Sequence, residues 1–221
     1  AGIEQAVAPP EADLKSLRQV VRIVMADYPA TIITGPLLQQ LAISAPGVDI
    51  VLQPWRSAET ALNDLETGAT DIAVSVFPVG ASWLRRHLLF EEQYRIVMRK
   101  DHPAAADFNL QRWLDFPHLI VSGRGERHGP LDEELARRGL KRRIGVVISS
   151  FTLAAPVLAD TDMIAMLPGR CIEDDASSFA VFDPPLPVPG FPLHLARHQR
   201  NDSDPVIDHV SDLIAAQLQE A

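Results

Sequence analysis

The chain has 221 residues, of which 47% are hydrophobic and 22% charged, and its formal net charge is −9. This is the composition of a globular protein with one large domain or two small ones, and its acidity weighs against duplex-DNA binding by the chain alone, because such binding needs a basic face. A single cysteine, Cys171, excludes an internal disulfide framework and a cysteine-rich metal site, and no stretch reaches the roughly 20 apolar residues of a membrane span.

The first part of the chain alternates short apolar runs with amphipathic stretches. The runs are rich in β-branched residues, which predicts buried strands at 20–25, 48–52 and 71–76. Between them we predict a helix that opens at Asp27, with this carboxylate as its cap, and that is bent or restarted at Pro36. A second helix is predicted at 58–68, where Gly68 provides the stop. This order of elements indicates a parallel sheet with right-handed crossovers.

A second set of strands and helices follows. Strands are predicted at 94–98, 118–121, 144–148, 163–167, 179–182 and 191–198, and helices at 110–114, 131–138, 153–160 and from about 205 onward. The proline-rich segment 183–190 is typical of a semi-rigid connection. Two such sets joined by two crossings predict an α/β protein that has two lobes and a cleft between them.

The ends of the predicted strands indicate where a ligand would bind. In open α/β sheets the ligand lies beyond the carboxyl ends of the strands, where backbone N–H groups at helix starts face the crevice. The segments that meet this condition are 26–31, 53–57, 75–79, 122–129 and 149–152. The sequence therefore predicts a small-molecule site lined by these segments.

Patterns typical of catalytic and metal sites do not occur in the sequence. None of the seven histidines belongs to an HExxH or other close metal-binding pair, and there is neither a G-x-S-x-G elbow nor a Walker loop. Cys171 has no adjacent histidine, and the carboxylate run 173–175 is typical of a solvated loop. The basic residues at 137–138 and 141–143 are interpreted as a solvated helix end. These observations favour a binding protein, with no cofactor and no metal, over an enzyme.

Four short segments occur in an order that resembles one known family. They are APGV at 45–48, LETGATDIAV at 65–74, RKDHP at 99–103 and DMIAMLPGR at 162–170. In their order and spacing they resemble the effector-binding domain of LysR-type transcriptional regulators, from Arg18 onward. The segments that most resemble the branch of nodulation and aromatic-degradation regulators are GLKRR at 139–143, Ser150-Phe151, and Arg200 followed by Asp204-Pro205.

The resemblance implies a fold and a division of the chain. The implied fold is two Rossmann-like lobes of type 2 periplasmic-binding-protein architecture with two interlobe crossings. Lobe I would comprise residues 18–98 and 189–221, lobe II residues 99–188, and residues 1–17 would be the remnant of a linker helix. DNA would be bound only through an N-terminal winged helix-turn-helix that this chain lacks. Because its first residues include acids and prolines where a signal peptide needs a basic start, we expect a cytoplasmic protein, unless a leader has been removed.

The resemblance also implies partners and a binding site. One partner is a small effector in the interlobe cleft, with aromatic acids, phenols and flavonoids as candidates, and no membrane partner is expected. A second partner is another copy of the chain, paired through the first long helix and the second strand, with a tetramer implied for the full-length protein. The implied effector-binding residues are Tyr28, Thr31, Trp55, Arg56, Val76, Phe77, Ser122, Gly123, Arg124, His128, Phe151 and Thr152.

Other interpretations of these residues and of the fold stay open at this point. Phe77 and Phe151 can equally be core residues, and Trp55 can equally be a surface residue. A transport-type solute-binding protein shares the two-lobed fold, and an export signal at the start of its gene would support it, whereas a helix-turn-helix segment there would support regulation. An enzyme such as a deaminase or dehydratase is a third candidate, and turnover of a bound ligand would be its signature.

Overall fold

The computed structural model describes residues 13–77, 81–172 and 176–220. In chain order its strands are β1 (Gln19–Met25), β2 (Val48–Pro54), β3 (Ile72–Ser75), β4 (Leu84–Glu92), β5 (Tyr94–Arg99), β6 (His118–Val121), β7 (Ile144–Ile148), β8 (Ile164–Pro168), β9 (Phe179–Phe182) and β10 (Phe191–His198). Its α-helices are α1 (Asp27–Ser44), α2 (Ala58–Thr67), α3 (Leu110–Asp115), α4 (Pro130–Arg137), α5 (Ala154–Ala159) and α6 (Pro205–Glu220). Most of the predicted linker remnant, the last residues of the predicted segment 75–79 and the carboxylate run 173–175 lie outside the described residues.

The first sheet has the strand order β2-β1-β3-β10-β4. β1 is parallel to β2 and β3, whereas β10 is antiparallel to β3 and β4. α1 and α6 contribute Ile33 and Ile214 to one hydrophobic cluster, and α2 contributes Leu65 to another. The C-terminal part of β1 is fully buried, as expected of a central strand in a sheet that helices cover.

The ends of α2 follow directly from its sequence. Ser57 is the N-cap, and its Oγ accepts a hydrogen bond from the backbone N–H of Thr60 at 3.0 Å. Gly68 ends the helix in the left-handed conformation, with a φ of 80°. These two signals confirm the predicted helix and fix the loop before it, which carries Trp55 and Arg56.

The second sheet has the strand order β7-β6-β8-β5-β9. β6 is parallel to β7 and β8, and β5 is antiparallel to β8 and β9. Trp113 of α3 and Leu135 of α4 belong to one hydrophobic cluster of this lobe, and Leu158 of α5 belongs to another. Each lobe therefore has its own core, as the two predicted sets of strands and helices require.

The chain crosses between the two sheets twice. β4 ends in the first sheet at Glu92 and β5 begins in the second sheet at Tyr94, so Gln93 alone links them. The chain returns between β9 and β10, through the proline-rich segment that was predicted to be a crossing. The predicted lobe boundary at residue 98 is corrected to residue 93, because β5 pairs with β8 and β9 of the second sheet.

The first helix differs from its prediction in two respects. α1 is one continuous helix around Pro36, so the proline does not restart it. Its N-cap is Ala26, and no side chain caps its start. Asp27 is therefore not the predicted cap, and its carboxylate is engaged elsewhere, in the second lobe.

Candidate functional site

The candidate site is the junction at which the two lobes face each other. The segment after β1 meets the segment after β7, and the segment after β2 meets the segment after β6. These contacts bring together four of the predicted ligand-binding segments. Since ligands of α/β sheets bind beyond the carboxyl ends of the strands, this junction is where a small molecule would be expected.

Asp27 makes the most extensive hydrogen-bonded contact between the lobes. The hydroxyl of Ser150 donates to its Oδ2 at 2.5 Å, the backbone N–H of Phe151 to its Oδ1 at 3.0 Å, and the backbone N–H of Thr152 to its Oδ2 at 2.9 Å. Burial would raise the pKa of the Asp27 carboxyl, but these three hydrogen bonds outweigh it, so the pKa lies below its ordinary value. Asp27 is thus ionised at neutral pH and holds the second lobe against the start of α1.

Tyr28 and Phe151 form an aromatic pair beside this contact. Their ring centroids are 5.2 Å apart, and the rings meet edge to face. Tyr28 is buried, with 7% of its surface exposed, and its hydroxyl finds no hydrogen-bond partner among the described residues. Burial, and secondarily the charge of Glu92, raises the pKa of the Tyr28 hydroxyl, so this group is neutral. The structure thus brings two of the predicted site residues together across the cleft.

A second contact between the lobes is steric. A Cβ atom at Gly123 would lie 2.8 Å from the carbonyl oxygen of Arg56 and 3.1 Å from that of Trp55, so the backbones touch where only glycine fits. Trp55 is held in place within its own lobe, because its indole N–H donates to Ser75 Oγ at 2.9 Å. The predicted residues Trp55, Arg56 and Gly123 are therefore adjacent.

The glycine-rich loop after β6 turns its charged side chains toward solvent. Arg124 pairs with Glu126 at 2.5 Å and, across the lobes, with Glu59 at 3.8 Å. Ser122 Oγ accepts a hydrogen bond from the backbone N–H of Glu126 at 3.0 Å, which shapes the loop. His128 is exposed, so the structure gives it a position at the rim and not inside the cleft.

Three other predicted site residues lie within or upon the first lobe. Phe77 is buried in the hydrophobic cluster that contains Leu65, so it is a core residue. Thr31 is exposed on α1 and donates to the carbonyl of Tyr28 at 2.8 Å, and Val76 is 38% exposed after β3. Of these, Val76 and Thr31 remain accessible to a ligand, and Phe77 does not.

Glu92 lies at the first crossing and was not anticipated. It is 3% exposed, and its Oε1 accepts hydrogen bonds from the backbone N–H groups of Gln93 at 2.9 Å and Gly169 at 3.1 Å. Oε2 finds no partner among the described residues. Burial raises the pKa of this carboxyl, and the two N–H groups oppose the rise. A pair of glutamates, Glu91 and Glu92, that follows an apolar run and precedes a single-residue crossing is the signal that could have identified it.

Two cavities lie outside the junction. One, of about 300 Å³, lies against β4, β10 and α6, and the other, of about 260 Å³, lies beside the proline-rich crossing. Within residues 13–77, 81–172 and 176–220, no group of three or more histidine, cysteine, aspartate or glutamate side chains is placed to hold a metal ion. No helix in the same ranges is long and apolar enough to cross a membrane.

Comparison with known proteins gives a consistent result. Residues 15–219 match the family described as LysR substrate binding domain. The HTH-type transcriptional activator NagR of a Ralstonia species is 31% identical over 83% of this chain and 62% of its own length. Nodulation protein D 2 of Rhizobium tropici is 28% identical over 90% of this chain and 63% of its own length. The chain thus spans about three fifths of the length of these relatives.

The solved structures agree with the sequence relatives. The regulatory domain of MexT, a transcriptional activator of Pseudomonas aeruginosa, is 25% identical and superposes with a TM-score of 0.75 over 91% of this chain and 99% of that domain. This match confirms the predicted α/β fold with two lobes of the periplasmic-binding-protein kind. The relatives also confirm the predicted resemblance to the branch that includes nodulation regulators.

Proposed function

The chain belongs to the LysR substrate-binding domain family of transcriptional regulators, and from this premise we propose that it senses a small aromatic acid bound in the interlobe cleft. The observation that carries the proposal is the junction itself. There, rings from both lobes (Tyr28 and Phe151) lie beside hydrogen-bond donors that already hold a carboxylate, that of Asp27. An aromatic ring and an acid group would find partners of the matching chemistry in adjacent positions.

The proposed ligand-binding residues are those predicted from the resemblance, and the structure supports some of them more strongly than others. Tyr28, Trp55, Gly123, Phe151 and Thr152 are supported by their positions at the junction. The other predicted residues have less support, because they are exposed or lie at the rim of the cleft. They are Thr31, Arg56, Val76, Ser122, Arg124 and His128. Phe77 is supported as a core residue.

The relatives also bear on the alternative functions. NagR and MexT are transcriptional activators, which supports a role without catalysis and does not favour a transport-type solute-binding protein. We propose that DNA is contacted by another part of the full-length protein, since this chain carries a net charge of −9. A cytoplasmic location is part of the same proposal.

A homodimer is proposed for this chain and a tetramer for the full-length protein. Large hydrophobic side chains are exposed on α1 and β2, the elements predicted to pair: Leu38 at 49%, Ile43 at 72%, Val51 at 42% and Leu52 at 40%. A homodimer formed through these two elements would remove such exposed apolar side chains from water. Light scattering should report twice the monomer mass, and a monomer at high protein concentration would contradict the pairing.

A thermal-shift experiment tests the sensing function. A panel of aromatic acids, phenols and other metabolites is added to the chain, and we expect at least one to raise the Tm. A ligand that binds only the folded state and is present at 100 times its Kd stabilises it by about 2.7 kcal/mol, or about 5–10 °C at this chain length.

Two variants connect such a shift with the proposed site. Phe151→Ala removes a ring at the junction and should reduce the shift. Phe182→Ala is the matched control, because it removes a half-buried ring that stacks on Phe108 within the second lobe. A panel without any active compound would contradict the sensing function, and equal shifts in both variants would contradict the site.

A further inference from the structure

We infer that Asp27 is a built-in competitor of the effector: its carboxylate, carried by the first lobe, occupies the donors of the second lobe that would otherwise bind the carboxylate of an aromatic acid. The inference rests on the proposed function and deepens it, because it names the acid group as the part of the effector that is recognised. It also assigns a role to a residue that the sequence presented as a helix cap.

The donors around Asp27 are arranged as a carboxylate ligand requires. The side chain of Ser150 and the backbone N–H groups of Phe151 and Thr152 donate to both carboxylate oxygens, at 2.5–3.0 Å. Hydrogen bonds to an ionised acceptor are the strong ones, and here three of them converge from three consecutive residues. The same donors would bind a free carboxylate without rearrangement of the second lobe.

A second observation points to a ligand at this place. Tyr28 follows Asp27 in the chain, is 7% exposed, and packs edge to face on Phe151. Its hydroxyl has no hydrogen-bond partner among the described residues, although a buried hydroxyl without a partner costs free energy. A polar group on an aromatic ligand in this position would satisfy it.

The charges of the site make displacement necessary. Asp27 is ionised at neutral pH, and its carboxylate already accepts the hydrogen bonds of all three donors. A second carboxylate added beside it would be repelled. An acidic effector must therefore take the place of the Asp27 carboxylate.

Displacement has a measurable consequence. A tethered group competes at an effective concentration on the order of millimolar, so it weakens the apparent affinity for any solute that needs the same donors. Removal of the side chain in Asp27→Ala should lower the Kd for benzoate by about tenfold or more. Benzamide, which has the same ring but no charge, should gain much less.

The experiment uses the whole chain and follows the backbone amide signals of Phe151 and Thr152 by NMR. Benzoate, benzamide and formate are titrated into wild type, Asp27→Ala, Asp27→Asn and Asp160→Ala. Asp160 is exposed at the opposite end of α5, so its substitution removes one charge without touching the donors. In Asp27→Ala we expect formate to shift both amides saturably and benzoate to bind more tightly, whereas Asp160→Ala should behave as wild type.

Each outcome decides between the two proposals. If formate leaves both amides of Asp27→Ala unmoved, or if benzoate binds wild type as tightly as the variant, Asp27 is not a competitor. A neutral compound that binds wild type would, in that case, still uphold the sensing function. If Asp27→Ala does not fold, Asp27→Asn keeps the shape of the side chain, and the same criteria apply to it.

Discussion

Arg142 is expected to determine how firmly the glycine-rich loop of the second lobe is anchored. Its side chain is 7% exposed, and its Nε and Nη2 donate to the two oxygens of Asp132 at 2.8 and 2.9 Å. Asp132 is 17% exposed in its side chain and also accepts a hydrogen bond from the backbone N–H of Gly129 at 2.9 Å. The pair therefore connects the segment before β7 with the first turn of α4, and Asp132 connects both with the end of the loop at 122–129.

Arg142→Ala should lower the free energy of unfolding by about 3 kcal/mol. Breaking a buried ion pair by removing one partner costs about 3–5 kcal/mol, because the remaining charge is left unpaired. The lower end of that range applies, since both side chains retain some contact with water. Arg143→Ala is the matched control: Arg143 is exposed, and its loss should change the free energy by less than about 0.5 kcal/mol.

Urea unfolding followed by circular dichroism measures both variants, and at ordinary m-values 3 kcal/mol corresponds to a shift of the midpoint by about 1–2 M.

Burial would raise the pKa of Asp132, but Arg142 outweighs it, so the folded-state pKa lies below the unfolded value of about 3.9. The stabilisation is then fully present above about pH 4 and is lost as the pH falls through the folded pKa. Equal midpoints for Arg142→Ala and Arg143→Ala at pH 7, or a difference that grows in acid, would refute this reasoning.

Two further predictions concern close packing and pH. Gly123→Ala should lower the Tm by about 2–12 °C, because its Cβ would lie 2.8 Å from the carbonyl oxygen of Arg56 and overpacking costs about 1–3 kcal/mol. Gly129→Ala, whose Cβ meets nothing within 4 Å, should change the Tm by less. Burial lowers the pKa of His118 to about 4, so its neutral form stabilises the fold above the unfolded value of about 6.5, and this contribution is lost as the pH falls toward 4. His118→Gln should flatten the dependence of unfolding free energy on pH in that window, and an unchanged slope in urea titrations would contradict the assignment.

The sequence predicted most of the elements because their signals are local. The β-branched runs mark β1 and β3, and the glycine stop of α2 fixes the end of that helix within a residue. β4 escaped prediction because it is an edge strand with the sequence LRRHLLFEE, most of whose central residues are exposed, so it shows no alternation. The missing strand also explains the misplaced lobe boundary, since the crossing directly follows β4.

The site was less predictable because its contacts join distant parts of the chain. An aspartate before a proline-containing helix is a normal cap, and only the fold shows that Asp27 bonds to residues more than 120 positions away. Arg142 was interpreted as part of a solvated helix end, which holds for its exposed neighbour Arg143 but not for the buried pair with Asp132. His128 is one of the effector-binding residues implied by the resemblance, but it is exposed at the rim of the cleft.

The interlobe contacts at Gly123 and Asp27 respond to different perturbations, and this difference bears on how a sensor of this kind discriminates between effectors. The contact at Gly123 is steric, so neither pH nor dissolved anions affect it. The contact of Asp27 depends on a carboxylate whose hydrogen bonds keep it ionised at neutral pH. In the proposed mechanism, a solute displaces it only by offering the donors of the second lobe an equally good anion. A neutral phenol would enter the cleft and leave the hydrogen bonds of Asp27 intact, whereas an aromatic acid would replace the Asp27 carboxylate. The Asp27 contact itself would therefore distinguish the two classes of effector.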